Sequence, residues 1–125
     1  MNILIADEFL IYRYVIKSYI SKCWPNATIA EAGSLQEVVT NVQEASFDLM
    51  ILDMHMPGSQ KLEEFVKEMA KSTKIVMFSE YAIETNKAKR LTDLGVENML
   101  LKSAPGKDVI ASFQAVFAVE KMKSA

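Results

Sequence analysis

At 125 residues, half of them apolar, the chain has room for one domain with a substantial core and not for two. Fourteen basic residues against sixteen acidic ones leave a net charge of −2 with the signs interspersed, so no basic stripe marks a nucleic-acid surface. The single cysteine, Cys23, cannot close an internal disulfide and reads as a small hydrophobe on a helix. No apolar run approaches the ~20 residues of a membrane span, and the N-terminus lacks the basic region of a signal peptide. The expectation is a soluble cytoplasmic domain.

Short apolar runs alternate with longer amphipathic ones. An aliphatic strand over 3–6 stops at Asp7-Glu8. A helix is expected over 9–23, with Leu10, Tyr14, Ile16 and Ile20 on one broad face, ended by Trp24-Pro25-Asn26. A weak strand over 28–30 leads to Gly33-Ser34, where Ser34 and Glu37 have the spacing of a capping box for a helix over 35–44. The strongest buried strand covers 47–52 and ends at Asp53. Met56-Pro57-Gly58-Ser59 is loop, and Leu62, Phe65, Val66 and Met69 share one side of a helix over 62–70. A strand over 75–78 stops at Ser79, and a helix over 83–94 is closed by Gly95. The last strand, 99–101, stops at Lys102, and a final helix covers 107–121, leaving 122–125 as a polar tail or the start of a linker.

Five strand–helix repeats with near-continuous apolar strands imply a doubly wound parallel sheet covered on both faces. In such sheets ligands bind beyond the carboxyl ends of the strands. Those ends carry Asp7-Glu8, Asp53, Ser79 and Lys102. Each alone has a plain reading as a helix cap, a turn or a solvated charge. Together, three carboxylates on one edge repel and resist ionisation unless a cation joins them. Oxygen donors without a His or Cys cluster favour Mg²⁺ over zinc. With a metal present, one aspartate can act as a nucleophile toward a phosphoryl group, while a lysine and a hydroxyl bind the phosphoryl oxygens.

Ala6-Asp7-Glu8, Leu52-Asp53-Met54-His55-Met56-Pro57-Gly58, Val76-Met77-Phe78-Ser79 and Leu100-Leu101-Lys102 resemble, in order and along nearly the whole chain, the signature blocks of response-regulator receiver domains. That resemblance implies a flavodoxin-like (βα)5 sheet with strand order 2-1-3-4-5 over 1–121. It also implies a phosphoryl group accepted on Asp53 from a sensor histidine kinase. Mg²⁺ would be held by Asp7, Glu8, Asp53 and the backbone carbonyl of His55. Ser79 would hydrogen-bond the phosphoryl group and Lys102 would pair with it. Phosphorylation would switch the surface of the fourth helix, fifth strand and fifth helix, with homodimerisation as the family outcome. Asp7-Glu8-Phe9-Leu10-Ile11-Tyr12-Arg13 and Leu100-Leu101-Lys102-Ser103-Ala104-Pro105 are similar to the LuxR/NarL-type subgroup, in which a DNA-binding output domain follows the receiver.

Three positions depart from the family pattern. Met99 stands where the family usually has an aromatic switch residue that moves with the Ser/Thr. Glu80 replaces a small residue after Ser79, and Tyr81 stands where it could cover the site or pack on the fourth helix. His55, the only histidine, has no partners for zinc or triad chemistry and is expected to tune water access. Met99 and Glu80 keep open a phosphorylation-independent interaction module. A phosphohydrolase is disfavoured because His55 replaces the second acid, and a flavodoxin-like cofactor binder because the first loop has no phosphate cradle.

Overall fold

The computed structural model describes the backbone of residues 1–124 and the side chains of residues 1–118. Five strands, β1 (Asn2–Ala6), β2 (Thr28–Ala32), β3 (Leu49–Asp53), β4 (Lys74–Ser79) and β5 (Asn98–Leu101), form one parallel sheet in the order β2-β1-β3-β4-β5. Each is followed by a helix: α1 (Leu10–Cys23), α2 (Leu35–Glu44), α3 (Leu62–Met69), α4 (Thr85–Leu94) and α5 (Gly106–Ser124). The expected tail begins inside α5, and its side chains and Ala125 lie outside the described residues.

Strand alternation assigns side chains to the two layers. Ile3, Ile5, Leu49, Ile51, Val76 and Phe78 pack with Ile16 and Ile20 of α1 and Val109 and Phe113 of α5. Leu4, Met50, Leu52, Ile75 and Met77 pack with Val38, Leu62, Val66 and Leu91 from α2, α3 and α4. Every residue of β3 is buried, as a central strand covered on both faces requires. Burying each of its large aliphatic side chains contributes about 1.5–3 kcal/mol.

The local signals place the ends. Ser34 Oγ accepts from Glu37 N–H at 3.2 Å, the cap bond expected, while Glu37 Oε2 reaches back past the cap to accept from Gly33 N–H at 3.3 Å. Gly95 ends α4 with φ 113°, a left-handed conformation natural to glycine. In the loop after β3, Gly58 has φ 89°, and a Cβ there would stand 3.1 Å from Leu35 Cβ, so the loop closes tightly on the start of α2.

Of the four residues expected on one face of the first helix, Ile16 and Ile20 are buried but Leu10 and Tyr14 are exposed, and the contacts explain three further differences. β2 is a full five-residue strand because Glu31, which breaks its apolar run, pairs with Arg13 at 3.2 Å and Lys17 at 2.9 Å on α1. α4 begins at Thr85, since Glu84 caps it by accepting from Asn86 and Lys87 N–H at 3.0 and 3.1 Å; Ile83 packs on the core from outside the helix. β3 starts at Leu49, because Asp48 turns its carboxylate to the Asn2 N–H at 2.7 Å.

Candidate functional site

The strand alternation that builds the two layers also divides the carboxyl edge of the sheet. Asp53 continues the Leu49–Ile51 series toward α1 and α5, whereas Ser79 continues the Ile75–Met77 series toward α3 and α4. Asp7 and Lys102, each one residue past its strand, fall on the Asp53 side.

On that side, Asp7 is fully buried and Asp53 is 3% exposed. Lys102 Nζ stands between them, 2.8 Å from Asp7 Oδ2 and 3.6 Å from Asp53 Oδ1. Backbone bonds place all three. Asp7 N–H donates to Ala32 O at 3.0 Å, Met54 N–H to Phe78 O at 2.9 Å and Lys102 N–H to Ser79 O at 2.8 Å. Asp7 Oδ1 accepts from Phe9 N–H at 2.9 Å, and Asp53 Oδ1 accepts from His55 N–H at 3.2 Å. Burial raises the Asp53 carboxyl above the ordinary carboxylate range and the charge of Asp7 adds to this, while the His55 N–H and Lys102 pull against it. Burial alone would lower the Lys102 ammonium. Its contact with Asp7 and the charges of Asp53 and Asp7 outweigh burial and hold it above its usual value.

On the other side, Ser79 is buried and its hydroxyl is committed. It donates to Tyr81 O at 2.6 Å, accepts from Tyr81 N–H at 3.2 Å, and stands 3.4 Å from His55 Nε2. Met54, His55, Ser79, Tyr81, Ile83 and Lys87 line most of a cavity of about 150 Å³ beside it. Tyr81 is 69% exposed, and its ring lies edge-on to that of His55, itself exposed, with centroids 6.2 Å apart. Glu80 faces solvent. Met99 pairs with Met77 and packs in the α2/α3/α4 core, on the same side as Ser79.

Glu8 is exposed, and among the described residues no three acidic, His or Cys side chains stand together as an ion site. Two carboxylates do converge, and Asp7 Oδ2 is buried without an aligned hydrogen bond, with the Lys102 ammonium 2.8 Å away. A hard oxygen pair with one exposed acid nearby suits Mg²⁺, which takes one or two carboxylates and keeps much of its water shell.

Two residues of α1 contribute contacts that strand-end reasoning does not reach. Arg13 Nη1 donates to Asp7 O at 3.1 Å, and the Tyr12 ring centroid stands 4.0 Å from Lys102 Nζ. The i, i+3 and i, i+4 spacings from Phe9 to Tyr12 and Arg13 place them on the helix face above the first acid, but only the packed crossover shows what they touch.

Residues 3–114 match the family model described as the response regulator receiver domain. The response regulator protein VraR of Staphylococcus saprophyticus is 27% identical over 124 residues, which is 98% of this chain and 59% of that protein. The transcriptional regulatory protein ResD of Bacillus subtilis is 27% identical over 117 residues, 92% of this chain and 47% of that protein. The chain thus spans about half the length of these relatives. Among solved structures, a CheY-like response regulator receiver domain protein from Methanospirillum hungatei superposes with a TM-score of 0.80 at 18% identity, covering 97% of both chains. RcsB of Salmonella enterica, solved bound to a promoter in the presence of phosphomimetic BeF3−, gives 0.78 at 20% identity, covering 92% of this chain and 67% of that one. With the family model spanning nearly the whole sequence and the sheet order the same as expected for it, the chain belongs to the response regulator receiver domains of two-component signalling.

Proposed function

We propose that Asp53 is the phosphoacceptor of this receiver domain, taking a phosphoryl group from the phosphohistidine of a sensor kinase. The observation that carries this is the shared lysine: two buried carboxylates at the ends of neighbouring strands, with one buried ammonium between them. In the transfer, an Asp53 carboxylate oxygen forms a bond to phosphorus as the P–N bond of the donor breaks, and the departing imidazole is protonated from water. Lys102 then offers its ammonium to the phosphoryl oxygens, and Ser79 donates its hydroxyl once it leaves Tyr81 O. Asp7, Asp53, the backbone carbonyl of His55 and Glu8, once its exposed side chain turns in, would hold Mg²⁺, which would supply neutralisation of the charge developing on the transferring group.

The read-out follows from the added charge of about −1.5 to −2. Ser79 moves toward it, the turn through Tyr81 follows, and the equilibrium of the α4–β5–α5 surface shifts, with homodimerisation as the outcome. Met99 repacks on the Ser79 side in place of a ring. Phe9, Leu10, Ile11 and Tyr14, each at least half exposed at the start of α1, offer an apolar contact for the donor protein. The remaining assignments are a cytoplasmic signalling domain over 1–121 of LuxR/NarL type, whose catalysis is limited to its own phosphotransfer and dephosphorylation. Residues 122–125 lead toward a DNA-binding output domain. No helix among the described residues is long and apolar enough to cross a membrane.

Incubation with phosphoramidate and Mg²⁺, followed by intact mass measurement, tests the reading. One phosphoryl adduct that requires Mg²⁺ is expected. Unmodified protein would leave a receiver acting as a phosphorylation-independent interaction module.

A further inference from the structure

Lys102 has two kinds of neighbour. The carboxylates are the obvious one, but the ammonium also sits 4.0 Å from the centroid of the Tyr12 ring and 5.8 Å from that of Phe9. The two rings meet edge to face, centroids 6.3 Å apart at 70°. Phe9 is anchored to the same acid as the lysine, since its N–H donates to Asp7 Oδ1 at 2.9 Å. One turn of chain therefore carries an acid and an aromatic wall that both face Lys102.

The two partners differ in what they do when the site is loaded. A cation bound by Asp7 and Asp53 competes with Lys102 for the same oxygens, and the 2.8 Å contact to Asp7 Oδ2 is the first it would take. A ring face attracts an ammonium through its quadrupole but offers nothing to Mg²⁺, a hard cation that selects oxygen. The attraction to Tyr12 survives metal binding, and in a pocket where the Lys102 side chain is only 6% exposed it acts with little competition from water.

We propose that Tyr12 is a positioning residue for phosphoryl transfer: its ring holds the Lys102 ammonium beside Asp53 when Asp7 is engaged elsewhere. This rests on the reading of Asp53 as the phosphoacceptor. Tyr12 touches neither the phosphoryl group nor the nucleophile and acts through Lys102. An ammonium held over a ring face gives the Lys102 contact its own spectroscopic signature.

The test uses the chain labelled with ¹³C-lysine, as wild type, Tyr12→Phe and Tyr12→Leu, with Lys102→Arg to assign the signal. In wild type and Tyr12→Phe the ring current should move the Lys102 ε-methylene protons upfield, without Mg²⁺ and with it. Tyr12→Leu should lose that shift, and its rate of phosphorylation by phosphoramidate should fall about tenfold. Pentafluorophenylalanine at position 12 keeps the shape but removes the negative ring face. It should slow phosphorylation as Leu does, which separates the charge–ring contact from packing if the Leu variant folds poorly. A Lys102 signal without ring shift in wild type, or a pentafluorophenylalanine protein as fast as Tyr12→Phe, would overturn the proposal. The lysine signal is read without phosphorylation, so an unphosphorylatable wild type would count against the phosphoacceptor reading while the signal still decides the contact.

Discussion

On the α1/α5 side of the carboxyl edge, Asp7, Asp53 and Lys102 are buried and bound to one another, with the backbone of β1, β3 and β5 behind each. On the α3/α4 side, Ser79 is just as buried but its shortest contacts are local, the carbonyl and N–H of Tyr81 two residues on, with His55 Nε2 farther at 3.4 Å, beside an open cavity and an exposed Tyr81. The first side is held together by charge across three strands, the second by a turn within one segment. A charge network distributed over rigid strands suits chemistry, which needs fixed geometry. A hydroxyl held by one short turn suits a switch, which needs two arrangements close in free energy. The difference teaches that one sheet edge supplies both by the parity of the strand residue.

Breaking the first side should have the largest effect. Lys102→Met should slow phosphorylation by phosphoramidate about 100-fold, as expected for loss of one charge-stabilising donor. It should also destabilise the fold by roughly 3–5 kcal/mol, because two buried carboxylates lose their partner. Denaturant unfolding and a mass-based time course measure both, and an unchanged rate would remove Lys102 from the transfer.

Breaking the second side should separate chemistry from response. Ser79→Ala should cost about 1 kcal/mol for the lost hydrogen bonds and slow phosphorylation less than about tenfold. The change in oligomeric state with beryllofluoride should disappear. Light scattering with and without beryllofluoride checks this; a retained response would place the switch elsewhere than Ser79.

Asp53 also links the sides through its raised carboxyl. The folded chain then holds the Asp53 proton more tightly than the unfolded chain does. Ionised Asp53 therefore costs stability at pH values above its raised pKa, and the cost vanishes below the ordinary carboxylate value. Without metal at neutral pH, Asp53→Asn should melt a few degrees higher than wild type, corresponding to about 1 kcal/mol. The gap should close as pH falls from above the raised pKa to below the ordinary value. A wild type more stable than Asp53→Asn at neutral pH would contradict this sign.

The smallest effect belongs to the Tyr81 ring. Ser79 bonds to the Tyr81 backbone, which Tyr81→Ala keeps, and the ring is 69% exposed. Stability should change by less than ~0.5 kcal/mol, measured by thermal unfolding. A larger loss would mean that the ring, through His55, holds the turn.

The same parity explains what the amino-acid sequence made legible. Continuous apolar runs such as Leu49–Leu52 and the polar residues ending them pointed to a parallel sheet and to Asp7, Asp53, Ser79 and Lys102 on one edge. Ser34 with Glu37 and Gly95 marked helix ends through chemistry confined to a few residues. The strength of β2 was hidden because Glu31 finds its charge partners on α1. The start of α4 was hidden because Ile83 prolongs an apolar pattern that Glu84 cuts with its carboxylate. Within the site, the Lys102 contact with Tyr12 depends on how α1 packs against β1 and α5, and the Ser79 proton on the path of the loop through Tyr81. Periodicity carries neither.

The central claim is that Asp53 itself carries the phosphoryl group. Borohydride reduces an acyl phosphate to the alcohol, so treating the phosphoramidate- and Mg²⁺-exposed chain with borohydride and sequencing its peptides by mass locates the bond. The account predicts homoserine at position 53 in wild type and at no position in Asp53→Asn. Homoserine at position 7, 5-hydroxynorvaline at position 8, or an adduct that survives in Asp53→Asn, would contradict it.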